Sequence, residues 1–229
     1  MNYNSSKTKW IDEYKLLHKI EPKFGSSSHI RLHEVTRIIM ELIKIENNPN
    51  KIFRILDFGC GKSKLIDNLR DFFASSSFKF EFLKYDPAVE IYSLRPSGNF
   101  DLIINTDVLE HIHEPELDII LKDIRSFSKN CFINISTRLA NTILPNGENA
   151  HVTVKSCNWW FNLLKKYWNK ELYLYSCSMD EVTICTLRQT DYLRFFYIKK
   201  KLRWYFLRII RFFVEAKSSI KRRLKFIKN

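Results

Sequence analysis

Apolar positions recur along this chain with two different periods. Over residues 7–20 and 29–45 the spacing is helical: Trp10, Tyr14 and Leu17 in the first stretch, Ile30, Val35, Ile38, Ile39 and Leu42 in the second. Phe24-Gly25-Ser26-Ser27-Ser28 between them reads as a turn and a helix start. From Ile52 the pattern changes to short apolar runs at 52–58, 80–85, 100–105 and 131–135, each long enough for a buried strand. Amphipathic stretches at 63–73, 117–127 and 159–168 predict helices; Leu65, Ile66, Leu69, Phe72 and Phe73 stripe the first. The last two runs, 171–177 and 182–187, are separated only by Ser178-Met179-Asp180-Glu181, too short for a parallel crossover, so they must pair as an antiparallel hairpin. The class predicted is α/β: a doubly wound, mostly parallel sheet ending in a hairpin.

The first strand delivers Asp57-Phe58-Gly59-Cys60-Gly61-Lys62-Ser63, an acid and two glycines before a helix. Backbone N–H groups in such a turn can meet a ligand with no side chain in the way. The dinucleotide fingerprint would need a third glycine where Lys64 stands, and the phosphate-binding loop would need one at Leu56. What remains resembles the first motif of class I S-adenosylmethionine-dependent methyltransferases. Phe80-Glu81-Phe82-Leu83-Lys84-Tyr85-Asp86-Pro87 is similar to that family's second strand, and the segment Phe100 to Ile112 to its fourth strand and the residues after it. The resemblance covers about residues 50 to 190. It implies a Rossmann-like methyltransferase fold, with S-adenosyl-L-methionine as cofactor. The cofactor-binding residues implied are Asp57, Gly59, Cys60, Gly61, Asp86, Pro87 and Asp107, with Asp57 at the amino-acid ammonium or ordering the loop and Asp86 chelating the ribose hydroxyls. Cys60 fits the turn as a small side chain and has no catalytic role. The family's third strand would have to be short, since only 91–99 lies between its neighbours.

Three segments follow from this: an N-terminal helical lid over 1–50, a methyltransferase domain over 51–190 and a C-terminal extension over 191–229. A helical pair capping the sheet edge is the plainer alternative for the first. Five cysteines (60, 131, 157, 177, 185) form no C-x-x-C pair and leave one over, which suggests reduced thiols and a cytoplasmic setting. Residues 1–10 are polar, so no secretory leader is expected. No uncharged run approaches the roughly 18 residues needed to span a bilayer.

Asp107, Glu110 and His111 stand at i, i+3 and i+4 and would face one way on a helical turn. They could line the methyl-transfer site with His111 as general base, hold a divalent metal, or buttress the loop structurally. His113 is expected to be solvated. The segment 136–151 leaves the fifth strand as a long polar loop with a Pro145-Asn146-Gly147 turn, a length usually reserved for function. In it Arg138, Asn146, Glu148 and Asn149 are candidate substrate contacts, and His151 is either a second candidate base or the satisfied member of a turn. Trp159 and Trp160 are read as core, although one could flank a planar substrate.

Charge is concentrated at the end. The chain carries 38 basic and 25 acidic residues; from Arg194 to Asn229 thirteen Lys or Arg face one acid, Glu215. Ile198, Leu202, Tyr205, Ile209 and Phe213 make one apolar helical stripe there, with Lys200, Arg203, Arg208 and Arg211 opposite. A basic amphipathic helix of this kind suits an anionic membrane surface, with packing on protein or binding to nucleic acid as rivals. The sequence points to a cytoplasmic methyltransferase, peripheral on the inner face of the membrane, that O-methylates a saccharide or membrane-linked precursor. That substrate class rests partly on similarity to small enzymes of envelope polysaccharide synthesis. An RNA methyltransferase gripping phosphates with the tail, and a non-catalytic cofactor-binding scaffold, are the alternatives.

Overall fold

The computed structural model describes residues 6–169 and 172–188, with side chains from residue 11 onward. The basic extension of 191–229 and its proposed membrane-facing stripe lie outside the described residues. All described residues belong to one compact unit, Met1–Arg188.

Two helices, α1 (Ser6–Ile20) and α2 (Leu32–Glu46), precede a six-stranded sheet, with a 3-10 turn at Ser27–Arg31 between them. The sheet uses β1 (Ile52–Phe58), β2 (Lys79–Tyr85), β3 (Leu102–Thr106), β4 (Cys131–Ser136), β5 (Tyr173–Cys177) and β6 (Glu181–Cys185), in the order β2-β1-β3-β4-β6-β5. Helices α3 (Leu65–Phe73), α4 (Leu117–Phe127) and α5 (Cys157–Trp168) connect them. β2, β1, β3 and β4 are parallel, and β6 turns back antiparallel to both β4 and β5. The expected fold class is therefore the observed one. Strand order runs outward from β1 in one direction and from β3 in the other, and right-handed crossovers then put α3 and α4 on opposite faces. Between β1 and β3 lies the switch point, where open sheets of this kind bind ligands at the strands' carboxyl ends.

The central strands read as continuous apolar runs because both their faces are covered; every residue of β3 and β4 is buried. α4 and α5 supply Leu117, Leu121, Ile124, Trp160, Leu164 and Trp168 to that core. Ser156 caps α5, its hydroxyl accepting the amide of Trp159 at 3.3 Å.

Two expectations are corrected. No third family strand forms between β2 and β3; 93–99 is loop after a 3-10 turn at Glu90–Tyr92. Arg54 explains it: its guanidinium takes the carbonyls of Asn99 at 2.7 Å and Ser97 at 3.4 Å, groups a strand would need for pairing. The cysteines are not all reduced either. Cys157, opening α5, and Cys177, closing β5, are disulfide-bonded with Cα atoms 5.9 Å apart, while Cys60, Cys131 and Cys185 are free and buried. The absence of a C-x-x-C pair could not reveal two cysteines 20 residues apart that the sheet brings together.

Candidate active site

Strand ends build the site. Gly59 follows β1, Asp86 follows β2, Asp107 follows β3 and Thr137 follows β4, all on one rim. Gly59 and Gly61 hold φ of 80° and 51°, values that disfavour a side chain. A Cβ at Gly59 would strike Val108, the residue after Asp107, and one at Gly61 would meet the carbonyl oxygen of Gly25 at 2.5 Å. The turn is thus wedged between the end of β3 and the segment that follows α1.

Its amides are not free for a ligand, contrary to the expectation drawn from the glycines. Gly59 and Cys60 donate to the Tyr85 carbonyl at 2.7 and 3.1 Å, Gly61 to Asp86 Oδ2 at 2.8 Å, and Lys62 to the Gly25 carbonyl at 2.8 Å. Ser63 donates to the Cys60 carbonyl at 3.1 Å. What the rim offers instead is acceptors. Asp57 is 1% exposed and neither carboxylate oxygen has a hydrogen-bond partner. Burial, then the neighbouring Asp86, pushes its pKa up to about 7. Asp86 Oδ1 accepts the Ala88 amide at 2.8 Å, leaving each of its oxygens with lone-pair capacity to spare. Burial also raises its pKa, against neighbouring backbone amides and His18, which favour the carboxylate. Two buried carboxylates without cationic side chains bonded to them suit a ligand rich in N–H⁺ and O–H donors and repel phosphate. Cys60 is buried beside them, its thiol pushed up by burial, and Pro87 lies between Asp86 and the buried Ala88.

Asp107, Glu110 and His111 do not share a helical face. Asp107 has φ 56°, and only a single 3-10 turn, Leu109–His111, follows it. Their side chains go to different partners: Asp107 Oδ2 to the Ser27 hydroxyl at 3.1 Å, Glu110 Oε1 to the Ser136 amide at 2.7 Å, His111 Nδ1 to the Ala150 carbonyl at 2.6 Å. Among the described residues no cluster of three or more His, Cys, Asp or Glu is arranged to hold a metal ion, which corrects the metal reading of the trio. Glu110 is fully buried with Oε2 unpartnered; burial and then Asp107 raise its pKa well above the carboxylate range.

Both candidate bases come together, with ring centroids 4.9 Å apart. His111 Nδ1 faces a carbonyl, and so does His151 Nδ1, 2.6 Å from the Arg138 carbonyl. A carbonyl can only accept, so each Nδ1 carries the proton and each Nε2 presents a lone pair. Burial, then the adjacent His151, lowers the His111 pKa to about 4. Burial also lowers that of His151, but the Arg138 carbonyl and Asp107 favour its protonated form.

The polar loop 137–156 has no helix or strand beyond one bridge, Ile143 to Asn149. Asn149 is spent on it, its side chain bonding Ala140 N and O at 3.0 and 2.9 Å and the His151 amide at 2.9 Å. Asn146 and Glu148 bond each other at the exposed tip, and the half-buried His113 lies 4.0 Å from Glu148. Arg138 is exposed and the longest cationic reach on this loop. Trp160 is core; Trp159 is half-buried under Lys155, whose ammonium sits 5.1 Å from its ring centroid.

The N-terminal segment brings residues that the sequence did not single out for chemistry. Tyr14 and Leu17 of α1 pack with Ala88, Leu144 and Ala150, spanning the Asp86 turn and the polar loop. The Tyr14 hydroxyl donates to the Ala150 carbonyl at 2.8 Å, the same oxygen that holds His111. Phe24 stacks within 6.1 Å of Tyr14 and 5.7 Å of His111. Arg31 is buried and bonds Glu181 at the start of β6 with both terminal nitrogens. The helical stripe of Tyr14 and Leu17 was legible as apolar; the polar His18 beside it was the unused clue.

A family model described as a methyltransferase domain matches residues 27–195. Among solved structures, the chain is similar to the methyltransferase domain of bacterial CtHen1-CN at 15% identity, covering 69% of this chain and 97% of that one, TM-score 0.45. It is similar to DhpI in complex with SAH at 10% identity, 76% and 93% coverage and TM-score 0.41. Magnesium protoporphyrin IX methyltransferase (ChlM) from Synechocystis PCC 6803 with bound SAH matches at 11% identity, 68% and 83% coverage and TM-score 0.37. No curated protein sequence matches the chain.

Proposed function

The chain belongs to the methyltransferase-domain family, and from that premise we propose that it transfers a methyl group from S-adenosyl-L-methionine to a hydroxyl of a saccharide or membrane-linked precursor. The observation that carries the donor assignment is Asp57: a buried carboxylate with two unpartnered oxygens, beside a second acid at the end of the adjacent strand. The residues fit the group. Asp57 would take the ammonium, Asp86 the ribose diol, and Gly59, Cys60, Gly61 and Pro87 would form the wall. When bound, this cofactor supplies an electrophilic methyl group on a sulfonium.

The chain's own task is then to orient the acceptor and take its proton. A sugar hydroxyl has a pKa far above neutrality, so it needs a base as the new bond forms. His151 Nε2 takes that proton, its Nδ1–H held by the Arg138 carbonyl, and the charge of Asp107 favours the imidazolium formed. His111 stays neutral because it is buried and, secondly, because two protonated imidazoles at that separation would repel. α1 and its turn act as a lid that keeps water from the proton transfer. Support for an amphiphilic acceptor comes from the rim loop: it carries polar Arg138, Asn146 and Glu148 together with exposed Leu139 and Ile143, and its first residue, Thr137, bonds the carbonyl of exposed Met179 in the β5–β6 hairpin. The basic segment 194–228 would hold the enzyme on an anionic membrane of the cytoplasmic face.

The test is transfer of isotope-labelled methyl from S-adenosylmethionine to panels of sugar nucleotides, lipid-linked saccharides and RNA oligomers. Labelling of a hydroxyl in the saccharide sets is expected. Labelling of RNA alone would favour the second reading, which the thirteen basic residues from Arg194 to Asn229 keep in play through their charge. Binding of S-adenosylhomocysteine with no transfer to any panel would favour a scaffold.

A further inference from the structure

His18 is placed as no helix-surface residue need be. It lies on α1, is 8% exposed, and its Nδ1 is buried without a hydrogen-bond partner. An orphaned buried nitrogen of this kind costs the fold stability unless something satisfies it. Its surroundings are those of the cofactor site. Its own backbone carbonyl accepts the Lys62 ammonium, the residue after Gly61. Gly25, whose carbonyl accepts the Lys62 amide, must lack a side chain because His18 Cε1 would stand 2.7 Å from its Cβ. The ring packs edge-on against Phe24 at 5.0 Å. Asp86 is close enough for its charge to act on the imidazole.

From this geometry we infer that His18 is a cofactor-binding residue carried by α1, hydrogen-bonding a ribose hydroxyl of the adenosyl group opposite Asp86. The inference rests on the assignment of Asp86 to the ribose. The chemistry is complementary. Asp86 can only accept, and it already accepts one backbone amide at each oxygen. A diol brings two O–H donors but also two oxygens that need a donor. An imidazole in this dry position is neutral, because burial lowers its pKa, and offers one N–H and one lone pair. The nearby Lys62 ammonium is committed to His18's carbonyl. Binding of the ribose would satisfy the orphaned nitrogen and fasten α1 over the glycine turn in the same event.

Calorimetric titration with S-adenosylhomocysteine and with 5′-methylthioadenosine, which keeps the ribose but lacks the amino acid, tests this on the full chain. His18→Ala should weaken both ligands at least tenfold while the melting temperature of the ligand-free protein stays the same or rises. His18→Asn, which keeps a donor near the Nδ1 position, should recover part of the affinity and decides the matter if the alanine variant does not fold. Asp86→Ala is the control for the underlying assignment. Wild-type affinity in both His18 variants, with Asp86→Ala weakened, overturns the inference alone. Wild-type affinity in Asp86→Ala as well overturns the ribose assignment beneath it.

Discussion

Replacing Asp57 by asparagine should stabilise the empty protein and cripple it as an enzyme. The carboxyl titrates near 7 instead of its ordinary 3.8 because it is buried next to Asp86. The folded protein therefore holds this proton more tightly than the unfolded chain does. Its contribution to stability is intact below the unfolded pKa, declines as pH rises, and is fully lost above about pH 7. A shift of about three units at ~1.4 kcal/mol each sets the cost of the ionised group at about 4 kcal/mol at pH 8. At pH 5 only about one unit separates the solution from the unfolded pKa, so the cost is about 1.5 kcal/mol. Asparagine resembles the protonated acid in shape and carries no charge, so the variant escapes both costs. At roughly 2–4 °C per kcal/mol, the ligand-free variant should melt roughly 8–16 °C above wild type at pH 8 and only a few degrees above it at pH 5. Differential scanning calorimetry at the two pH values reads this directly. With S-adenosylhomocysteine present, wild type should gain stability and the variant should gain far less. An equal melting difference at both pH values, or a variant less stable at pH 8, would refute the argument.

His151→Ala should lower turnover by about 10²–10⁴ while leaving S-adenosylhomocysteine affinity within about twofold, as measured by initial rates and calorimetry. Because burial lowers the pKa of His151, turnover at saturating donor should stay flat from pH 8 to below 6.5 and fall only in more acidic buffer; an inflection above pH 7 would remove His151 as base. Gly61→Ala forces a left-handed backbone onto a side chain, costing about 1 kcal/mol before the Gly25 carbonyl is displaced, and should lower both melting temperature and cofactor affinity. Deleting 194–229 should abolish sedimentation with anionic liposomes without changing cofactor affinity; unchanged sedimentation would dismiss the membrane role. Reduction with dithiothreitol should add two alkylatable thiols under denaturation, at Cys157 and Cys177, detected by mass spectrometry.

The strands were readable because β3, β4 and most of β1 are buried and leave mainly apolar runs, and the hairpin because three residues between β5 and β6 allow no other pairing. Asp57 and Asp86 were readable for a similar reason: each ends a strand, and strand ends share a rim. Contacts made across long sequence distances were not. Tyr14 reaches Ala150 and Arg31 reaches Glu181, separations of 136 and 150 residues, and nothing local marks either partner. The trio at 107–111 misled because helical spacing was assumed where Asp107 takes a left-handed turn. The glycine turn misled in a subtler way. Its glycines are needed for close packing against Gly25 and Val108, and the amides that such a turn advertises are consumed by the protein itself.

The carbonyl oxygen of Ala150 receives both the Tyr14 hydroxyl and the His111 ring, so its two lone pairs are both filled. If α1 covers the cofactor as proposed, swinging it aside to admit a nucleoside would break the Tyr14 bond and loosen the imidazole pair. The proposed lid then implies a kinetic order in which the donor should enter first, the helix reseat, and the aligned base meet the acceptor only afterwards. Spent nucleoside, trapped beneath the reseated helix, should leave last and inhibit competitively against the donor but not against the acceptor.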